Sequence, residues 1–139
     1  MILLDTNVIS ALMREPQDQA VIRWLDLQPR ASIWTTSVNV FESRLGLQVL
    51  PVGKRRQSML AVLDRVLSHT IEGRIVAFDT SAAQYAASLA AARQNAGRPK
   101  DHRDTMIAGI VLANHATFAT RNVRHFEDIS ASVVNPWAA

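Results

Sequence analysis

Short runs of apolar residues alternate along this chain with longer segments in which apolar residues recur at helical spacing. The first run, residues 1–4, contains no polar position, which is typical of a strand buried on both faces. Comparable short runs predict four more strands, at 33–36, 75–78, 117–119 and 132–134. The intervening segments predict helices at 7–14, 17–27, 37–49, 54–71, 80–97 and 101–115.

Strands that are separated by helices favour an α/β fold with a parallel sheet and right-handed crossovers. Ser37 and Asp79 are the predicted N-caps of the helices that follow the second and third strands. No repeat, low-complexity tract or linker interrupts the pattern, so we expect one domain over residues 1–139. Functional side chains of such a sheet are expected at the carboxyl ends of its strands.

Composition narrows the class of protein. Apolar residues make up 48% of the chain and charged residues 19%, which predicts a globular protein. The absence of cysteine excludes disulfides, thiolate chemistry and cysteine-based zinc sites. Residues 1–5 do not form a secretory signal and no stretch is long and apolar enough to span a bilayer, so we expect a cytoplasmic protein. The net charge of +3 is explained equally by solubility and by a mild preference for acidic partners.

Asp5 directly follows the first buried run, so it is expected at the carboxyl end of a central strand. The alternative is that Asp5 only caps the helix that follows. Glu42 lies on a helical stripe made by Val38, Phe41, Leu45 and Val49, which we interpret as the core-facing side of the helix. A carboxylate on such a face needs a distant arginine or a metal ion as its partner.

Asp104 shares a helix face with Ile107, Ala108 and Val111, and it lies in the first turn, where the helix dipole favours an anion. The alternative is a capping role together with Asp101. Three carboxylates that converge on one point repel each other, and a hard divalent cation removes that conflict. Oxygen ligands favour Mg²⁺ or Mn²⁺ over zinc. The four histidines show no ligand spacing and are interpreted as structural or surface residues.

Five segments together resemble the PIN-domain ribonucleases, and more closely the VapC and FitB-like toxins. They are LDTNV at 4–8, FESRLG at 41–46, DTMIA at 104–108, ATRN at 119–122 and NPW at 135–137. The resemblance covers the whole chain in order and spacing. It implies a three-layer fold whose five-stranded parallel sheet has the order 3-2-1-4-5 and is flanked by helices.

The resemblance also implies roles for individual residues. Asp5, Glu42 and Asp104 match the family's main metal-binding acids, whereas Asn122 stands where an aspartate is often found, which puts a second metal ion in doubt. Thr6 and Thr120 match hydroxyls that steady the acids and the attacking water. The implied activity is Mg²⁺-dependent endoribonuclease cleavage by the toxin of a toxin–antitoxin pair. The implied partners are RNA, a small DNA-binding antitoxin of the VapB or FitA kind, and a second copy of the chain.

Basic residues flank the predicted site. Arg121 and Arg124 surround Asn122, and Lys100 and Arg103 precede Asp104, so these four are the candidate phosphate-binding residues. A second candidate patch is 54–56, and ordinary solvated surface is the alternative for each cluster. If the three acids are held around a metal ion, nine acidic side chains remain against fifteen basic ones on the exterior. The tryptophans at 24, 34 and 137 are expected in the core or in an interface, with no platform for stacking bases.

Three other functions stay open. Asn122 is compatible with a PIN fold that binds RNA or a partner without cutting. Asp79 follows the third predicted strand and could be the phospho-acceptor of a receiver-like domain, although Thr80 and Ser81 make it a better N-cap. DNA is also a possible substrate, because an acid cluster acts on the phosphodiester and does not read the sugar. We expect apolar parts of 20–27 and 54–67 to supply the dimer interface.

Overall fold

The computed structural model describes residues 1–138 and contains a five-stranded parallel sheet in the order β3-β2-β1-β4-β5. The predicted fold class and strand order are therefore confirmed. The strands are β1 (Ile2–Leu4), β2 (Ile33–Thr36), β3 (Ile75–Val76), β4 (Thr117–Ala119) and β5 (Val133–Val134). The helices are α1 (Thr6–Met13), α2 (Gln19–Asp26), α3 (Ser37–Gln48), α4 (Lys54–Arg65), α5 (Thr80–Asn95) and α6 (His102–Ala113).

The central strand β1 pairs with β2 on one side and with β4 on the other, in a register that aligns their carboxyl ends. Leu4 lies beside Thr35 of β2 and beside Ala119 of β4. The residues that follow β1 and β4, together with the last residue of β2, therefore meet at one edge of the sheet. This edge is where the fold places its polar side chains.

Consecutive side chains of β1 point to opposite faces of the sheet, so both faces are apolar. Helices cover each of them. Leu4 belongs to a core that includes residues of α1, α2 and α4. Leu3 belongs to a second core that includes residues of α5 and α6 and the ring of Phe118. Leu3 and Leu4 are both fully buried. The sheet therefore lies between two layers of helices, which is the three-layer arrangement expected from the sequence. No helix within the described residues is long and apolar enough to cross a membrane.

Some predicted boundaries were wrong. The helix predicted at 54–71 is α-helical only to Arg65 and continues as a π-helical turn, Val66–Thr70. The strands β3 and β5 are shorter than predicted, and two 3-10 turns, Arg30–Ser32 and Val123–Phe126, were not predicted. A short turn of this kind leaves no periodic apolar pattern by which a sequence could reveal it.

The predicted N-cap Ser37 was also wrong. The hydroxyl of Thr36 accepts the cap hydrogen bond from the Asn39 N–H at 3.1 Å, one residue earlier than expected. The hydroxyl of Ser37 instead accepts from the Phe78 N–H at 3.1 Å. This bond joins the start of α3 to the segment that follows β3. Ser37 therefore links the carboxyl ends of the neighbouring strands β2 and β3.

Gly109 allows α5 and α6 to approach closely. A Cβ added at this position would lie 2.5 Å from the Ala82 carbonyl oxygen and 2.7 Å from the Ala86 Cβ. We expect Gly109→Ala to lower the free energy of unfolding by about 2 kcal/mol, because overpacking outweighs the better helix propensity of alanine. Urea denaturation measures this change.

The matched control is Gly46→Ala on α3, where an added Cβ meets no atom within 4 Å. Only helix propensity acts there, so we expect a gain of up to about 1 kcal/mol. Equal effects of the two substitutions would contradict the packing argument.

Candidate active site

The carboxyl ends of β1, β2 and β4 bring four buried polar residues together. Asp5 follows β1, Thr36 ends β2, Thr120 follows β4, and Asn39 lies in the first turn of α3. Thr36, Asn39 and Thr120 are fully buried, and Asp5 is 8% exposed. Buried polar groups need partners, and these residues supply them to each other.

Asp5 accepts four hydrogen bonds. Its Oδ1 accepts from the Thr6 N–H at 2.8 Å and from the Asn39 amide at 2.9 Å. Its Oδ2 accepts from the Thr120 hydroxyl at 2.6 Å and from the Asn7 amide at 3.4 Å. Asp5 also caps α1. The capping interpretation is thus correct, but a simple cap does not require burial or three side-chain donors.

Burial raises the pKa of the Asp5 carboxyl group, even though the bonds from Thr120 and Thr6 oppose the rise. The nearby Asp104 raises it further through charge repulsion. The raised pKa reflects a carboxyl group removed from water and placed near another acid, where a nearby cation would stabilise its charged form. That is the electrostatic condition expected of a cation-binding side chain.

Glu42 is half-buried on α3, and its carboxylate faces the site around Asp5. Its Oε1 accepts from the Thr6 hydroxyl at 2.9 Å, and its Oε2 lies 3.8 Å from the Arg103 Nε. Burial is the main reason that the pKa of Glu42 is raised, with Asp5 and Asp104 adding repulsion.

The helix face on which Glu42 was predicted to lie is mostly exposed, and not core-facing as expected. Phe41 is 55% exposed and Val49 is 71% exposed, and Leu45 is exposed as well, so of the four stripe residues only Val38 faces the core. The buried residues of α3 are Val38, Asn39 and Ser43. Glu42 therefore lies at the border of the buried face, and it is drawn into the site by Thr6.

Asp104 lies in the first turn of α6, where Asp101 is the N-cap and accepts from the Arg103 N–H at 2.7 Å. The Asp104 Oδ2 lies 3.4 Å from the His125 Nδ1. Asp104 raises the pKa of both Asp5 and Glu42, which means that the three acids are near enough to interact electrostatically. Among the described residues, however, no three acidic or histidine side chains are close enough, as placed, to hold one ion together.

The remaining predicted site residues differ in their exposure and in their hydrogen-bond partners. The Asn122 N–H donates to the Thr120 hydroxyl at 3.0 Å, and its side chain is exposed. Arg121 and Arg124 are exposed on the same loop. The Lys100 ammonium group donates to the His125 carbonyl at 2.9 Å, which ties Lys100 to the loop and makes it a poorer phosphate ligand than expected. Asp79 caps α5 through the Ala82 N–H at 2.9 Å, in agreement with the N-cap interpretation.

Sequence reasoning missed Asn39 and His125. The Asn39 amide donates to Asp5 and to the Thr6 hydroxyl at 3.0 Å, but its partners lie more than thirty residues away in the chain. A polar residue on the inner side of α3, three positions before Glu42, was the available signal. His125 was interpreted as a structural or surface residue and is indeed exposed, but its contact with Asp104 was missed, because it depends on a 3-10 turn that was not predicted.

Arg93 fixes the loop beside Asp104. Its guanidinium group, whose side chain is 2% exposed, makes two bonds of 2.8 Å to the Asp128 carboxylate. It also donates to the Thr105 hydroxyl at 2.9 Å and to the His125 carbonyl at 3.3 Å. Arg93 thereby joins α5, the start of α6 and the segment Val123–Phe126.

The Arg93 hydrogen bonds hold the pKa of Asp128 below its usual range, so this pair stabilises the fold above the pKa of an unfolded aspartate. We expect Asp128→Asn to lower the free energy of unfolding by about 1–2 kcal/mol at neutral pH. The difference from wild type should shrink as pH falls through the folded-state pKa, because the carboxyl group then protonates. Denaturation at several pH values measures it. A control is Asp64→Asn, in an exposed pair with Arg44, for which we expect at most about 0.5 kcal/mol.

Comparisons with known proteins agree with this geometry. The family model described as PIN domain matches residues 2–131. The chain is 38% identical to the plasmid stability protein StbB of Pseudomonas syringae pv. tomato over 139 residues, all of both chains. It is 35% identical to the VapC ribonuclease Y4jK of Sinorhizobium fredii over 99% of this chain and 98% of that protein. The solved structure of FitAB bound to an IR36 DNA fragment contains a similar chain, with a TM-score of 0.86, 31% identity, and coverage of 99% and 96%.

The five-stranded parallel sheet of this chain, flanked by helices, matches the sheet of solved PIN-fold structures. The chain belongs to the PIN-domain family. Within that family its relatives include the VapC and FitB proteins, so the resemblance inferred from the sequence motifs is confirmed.

Proposed function

We propose that this chain is a metal-dependent endoribonuclease and the toxin component of a toxin–antitoxin pair. The observation that carries the proposal is the buried Asp5, whose pKa stays raised while four donors surround it and two further acids face it. The relative named VapC ribonuclease, which is 35% identical over almost the whole chain, supports the same activity.

The donor set fits a hard divalent cation. The acids at this edge offer carboxylate oxygens, which are the ligand type of Mg²⁺ and Mn²⁺, while the neighbouring hydroxyls and amides donate hydrogen bonds to those carboxylates. Mg²⁺ is usually bound through one or two carboxylates and keeps several waters, so a ready-made cage of three side chains is not required. We propose that Asp5 holds the ion, with Glu42 and Asp104 contributing directly or through waters.

A bound divalent cation supplies the acidification of a water and the neutralisation of charge on the phosphate that is attacked. The protein's own residues hold the acids for that chemistry. Thr120 and Asn39 fix the two oxygens of Asp5, and Thr6 fixes Glu42. Asn122 carries no charge, so we propose a site with one strongly held ion, and a role for the Asn122 amide in orienting water or substrate.

Incubation of partner-free protein with total cellular RNA tests the proposed activity. Parallel reactions contain Mg²⁺ or EDTA, and a DNA pool replaces RNA in a third. We expect discrete cuts of RNA that require Mg²⁺, and end mapping of the products identifies the target. Intact RNA with folded, Mg²⁺-loaded protein would contradict the proposal and favour a PIN fold that binds without cutting. Cleavage of DNA alone would reassign the substrate.

We also propose that the chain binds a small DNA-binding antitoxin and forms a homodimer. The relative in the FitAB structure is part of a complex bound to DNA. A groove beside Glu42 is lined by Ser43, Leu47 and Met59, and the Ser43 hydroxyl in it has no hydrogen-bond partner within the described residues. This groove could take an antitoxin segment whose basic side chain reaches the acids.

The distribution of exposed apolar side chains favours a different interface from the one expected at 20–27 and 54–67. The exposed large apolar side chains are concentrated on α3 and just after it, at Phe41, Leu45, Val49 and Val52, whereas α4 presents none and the α2 region presents only Leu27. We therefore propose that these four exposed side chains supply much of the contact with the second copy of the chain. Sedimentation of the purified chain with and without Leu45→Glu tests this, and an unchanged oligomeric state would contradict it.

A further inference from the structure

The last described residues form a folded tail against the site. After β5 the Trp137 N–H donates to the Asn135 side-chain oxygen at 2.9 Å, and the Ala138 N–H donates to the Asn135 carbonyl at 3.1 Å. This turn brings the half-buried Trp137 ring back toward the loop after β4. The Thr120 N–H donates to the Val134 carbonyl at 2.9 Å, so the tail begins directly beside that loop.

The orientation of the Trp137 ring is fixed by Asp18. The indole N–H donates to the Asp18 Oδ2 at 2.9 Å, while the Asp18 Oδ1 accepts from the Ala20 N–H at 3.0 Å and caps α2. The indole hydrogen bond is the main reason that the pKa of Asp18 is lowered, so Asp18 remains an anion. The ring is therefore held by its own backbone turn on one side and by a charged helix cap on the other.

Arg121 stacks on this ring. Its guanidinium carbon lies 4.6 Å from the ring centroid. Its backbone N–H donates at 3.2 Å to Asn7, whose amide contacts Asp5 and Thr120. Arg121 is thus joined to the Asp5 carboxylate through one side chain. Within residues 1–138, no carboxylate lies within 4 Å of the Arg121 guanidinium group, in contrast with Arg103, which faces Glu42.

Stacking restrains an arginine through its flat face and leaves the N–H groups in its plane available to another ligand. A phosphate group, which carries negative charge and planar pairs of oxygens, is the ligand that such a fork binds best. We propose that Trp137 positions Arg121 to bind a backbone phosphate of the RNA next to the bond that is cut. The proposal rests on the nuclease function above, and it gives the tail a role in substrate binding.

The substitutions Arg121→Ala and Trp137→Leu test this proposal, alone and together. The substrate is a fluorescein-labelled RNA that carries the mapped cleavage site. We expect Arg121→Ala to raise KM about tenfold, which is the usual effect of losing a hydrogen bond to a charged group, with kcat nearly unchanged. The slope of log(kcat/KM) against log salt should fall by about 0.7, because one phosphate contact is lost.

Trp137→Leu should raise KM about fivefold in the wild-type background, and less than about twofold when Arg121 is already alanine. This loss of effect separates positioning of Arg121 from general support of the fold. Trp137→Phe keeps an aromatic face and loses only the bond to Asp18, so it should raise KM about twofold. Arg23→Ala, which removes an exposed positive charge from α2, is the control and should leave KM unchanged.

The proposal would be overturned if Trp137→Leu raised KM by the same factor in the wild-type and Arg121→Ala backgrounds. An unchanged KM in Arg121→Ala would also overturn it. If Trp137→Leu does not fold, Trp137→Phe and Asp18→Asn provide the same comparison, because asparagine keeps the helix cap. Binding of a labelled mixed-sequence RNA in EDTA, followed by fluorescence anisotropy, does not depend on cutting. Trp137-dependent binding without any cleavage would support the positioning of Arg121 and contradict the proposed nuclease function.

Discussion

Asp5→Asn is expected to reduce the single-turnover rate of RNA cleavage by about 10³-fold while the protein stays folded. Removal of a ligand for a catalytic cation forfeits several kcal/mol of charge stabilisation, and each 1.4 kcal/mol corresponds to about a tenfold rate change. Asparagine preserves the shape of the side chain and one acceptor oxygen, which can keep the bonds from the Thr6 N–H and the Asn39 amide. The measurement is the cleavage rate of a mapped RNA under enzyme excess.

Thermal unfolding gives a second measurement of the same substitution. Mg²⁺ that binds only the folded protein stabilises it by about 1.4 kcal/mol at ten times the dissociation constant, so its addition should raise Tm in wild type and have little effect in Asp5→Asn. Without metal, the free energy of unfolding of the wild-type protein is expected to depend on the protonation of Asp5. A carboxyl group whose pKa is raised on folding contributes stability at low pH that is lost as pH rises through the folded-state pKa, and Asp5→Asn removes this dependence.

The control for Asp5 is Asp101→Asn. Asp101 has the same charge, is exposed, and caps α6 three residues before Asp104, and asparagine is an equally good cap. We expect nearly wild-type cleavage and a normal response of Tm to Mg²⁺. A loss of activity in both variants would mean that net charge, and not the Asp5 site, controls cleavage.

Asn39→Ala is expected to have the second largest effect, a loss of about 10–100-fold in cleavage at low Mg²⁺ concentration. Groups that orient a metal ligand have effects of this size. The Asn39 amide holds Asp5 at 2.9 Å and the Thr6 hydroxyl at 3.0 Å, and its side-chain oxygen accepts from the Thr36 hydroxyl at 2.6 Å. Without the amide, Asp5 and Thr6 lose their common donor and the arrangement of Asp5 and Glu42 loosens.

The measurement for Asn39→Ala is the Mg²⁺ concentration that gives half-maximal cleavage, which should rise, with partial recovery of rate at saturating metal. Asn114→Ala, at the C-terminal end of α6, serves as the control, because within residues 1–138 it removes an amide that bonds only the Ile110 carbonyl. An Asn39→Ala variant that is folded and has an unchanged Mg²⁺ requirement would contradict the positioning role.

Much of the fold could be predicted from the sequence, because each strand is a short apolar run and each helix is long enough to show its period. Asp5 was located correctly for a physical reason, since a carboxylate that directly follows the buried Leu3 and Leu4 of a central strand must lie at the carboxyl edge of the sheet. Periodicity was less informative for α3. It identified an apolar stripe but could not show that the stripe faces away from the core, at Phe41 and Val49.

The hydrogen-bond network of the site could not be predicted, because its members come from distant parts of the chain. Asn39 reaches Asp5 across 34 positions, and Thr120 reaches it across 115. Motif resemblance suggested Thr120 but not Asn39. The position of Lys100 was equally unpredictable, since the carbonyl that it contacts belongs to a turn with no periodic signal.

The most direct test of the central claim is the restoration of activity to EDTA-treated wild-type protein by Mg²⁺, with Asp5→Asn treated in the same way. The substrate is one mapped RNA, with its all-deoxy counterpart alongside. The acidic edge predicts that Mg²⁺ restores cleavage of the RNA in wild type, at the mapped bond, and does not restore it in Asp5→Asn. Cleavage that persists in EDTA, or that Asp5→Asn retains in full, would contradict the claim that this site cuts RNA through a carboxylate-held metal ion.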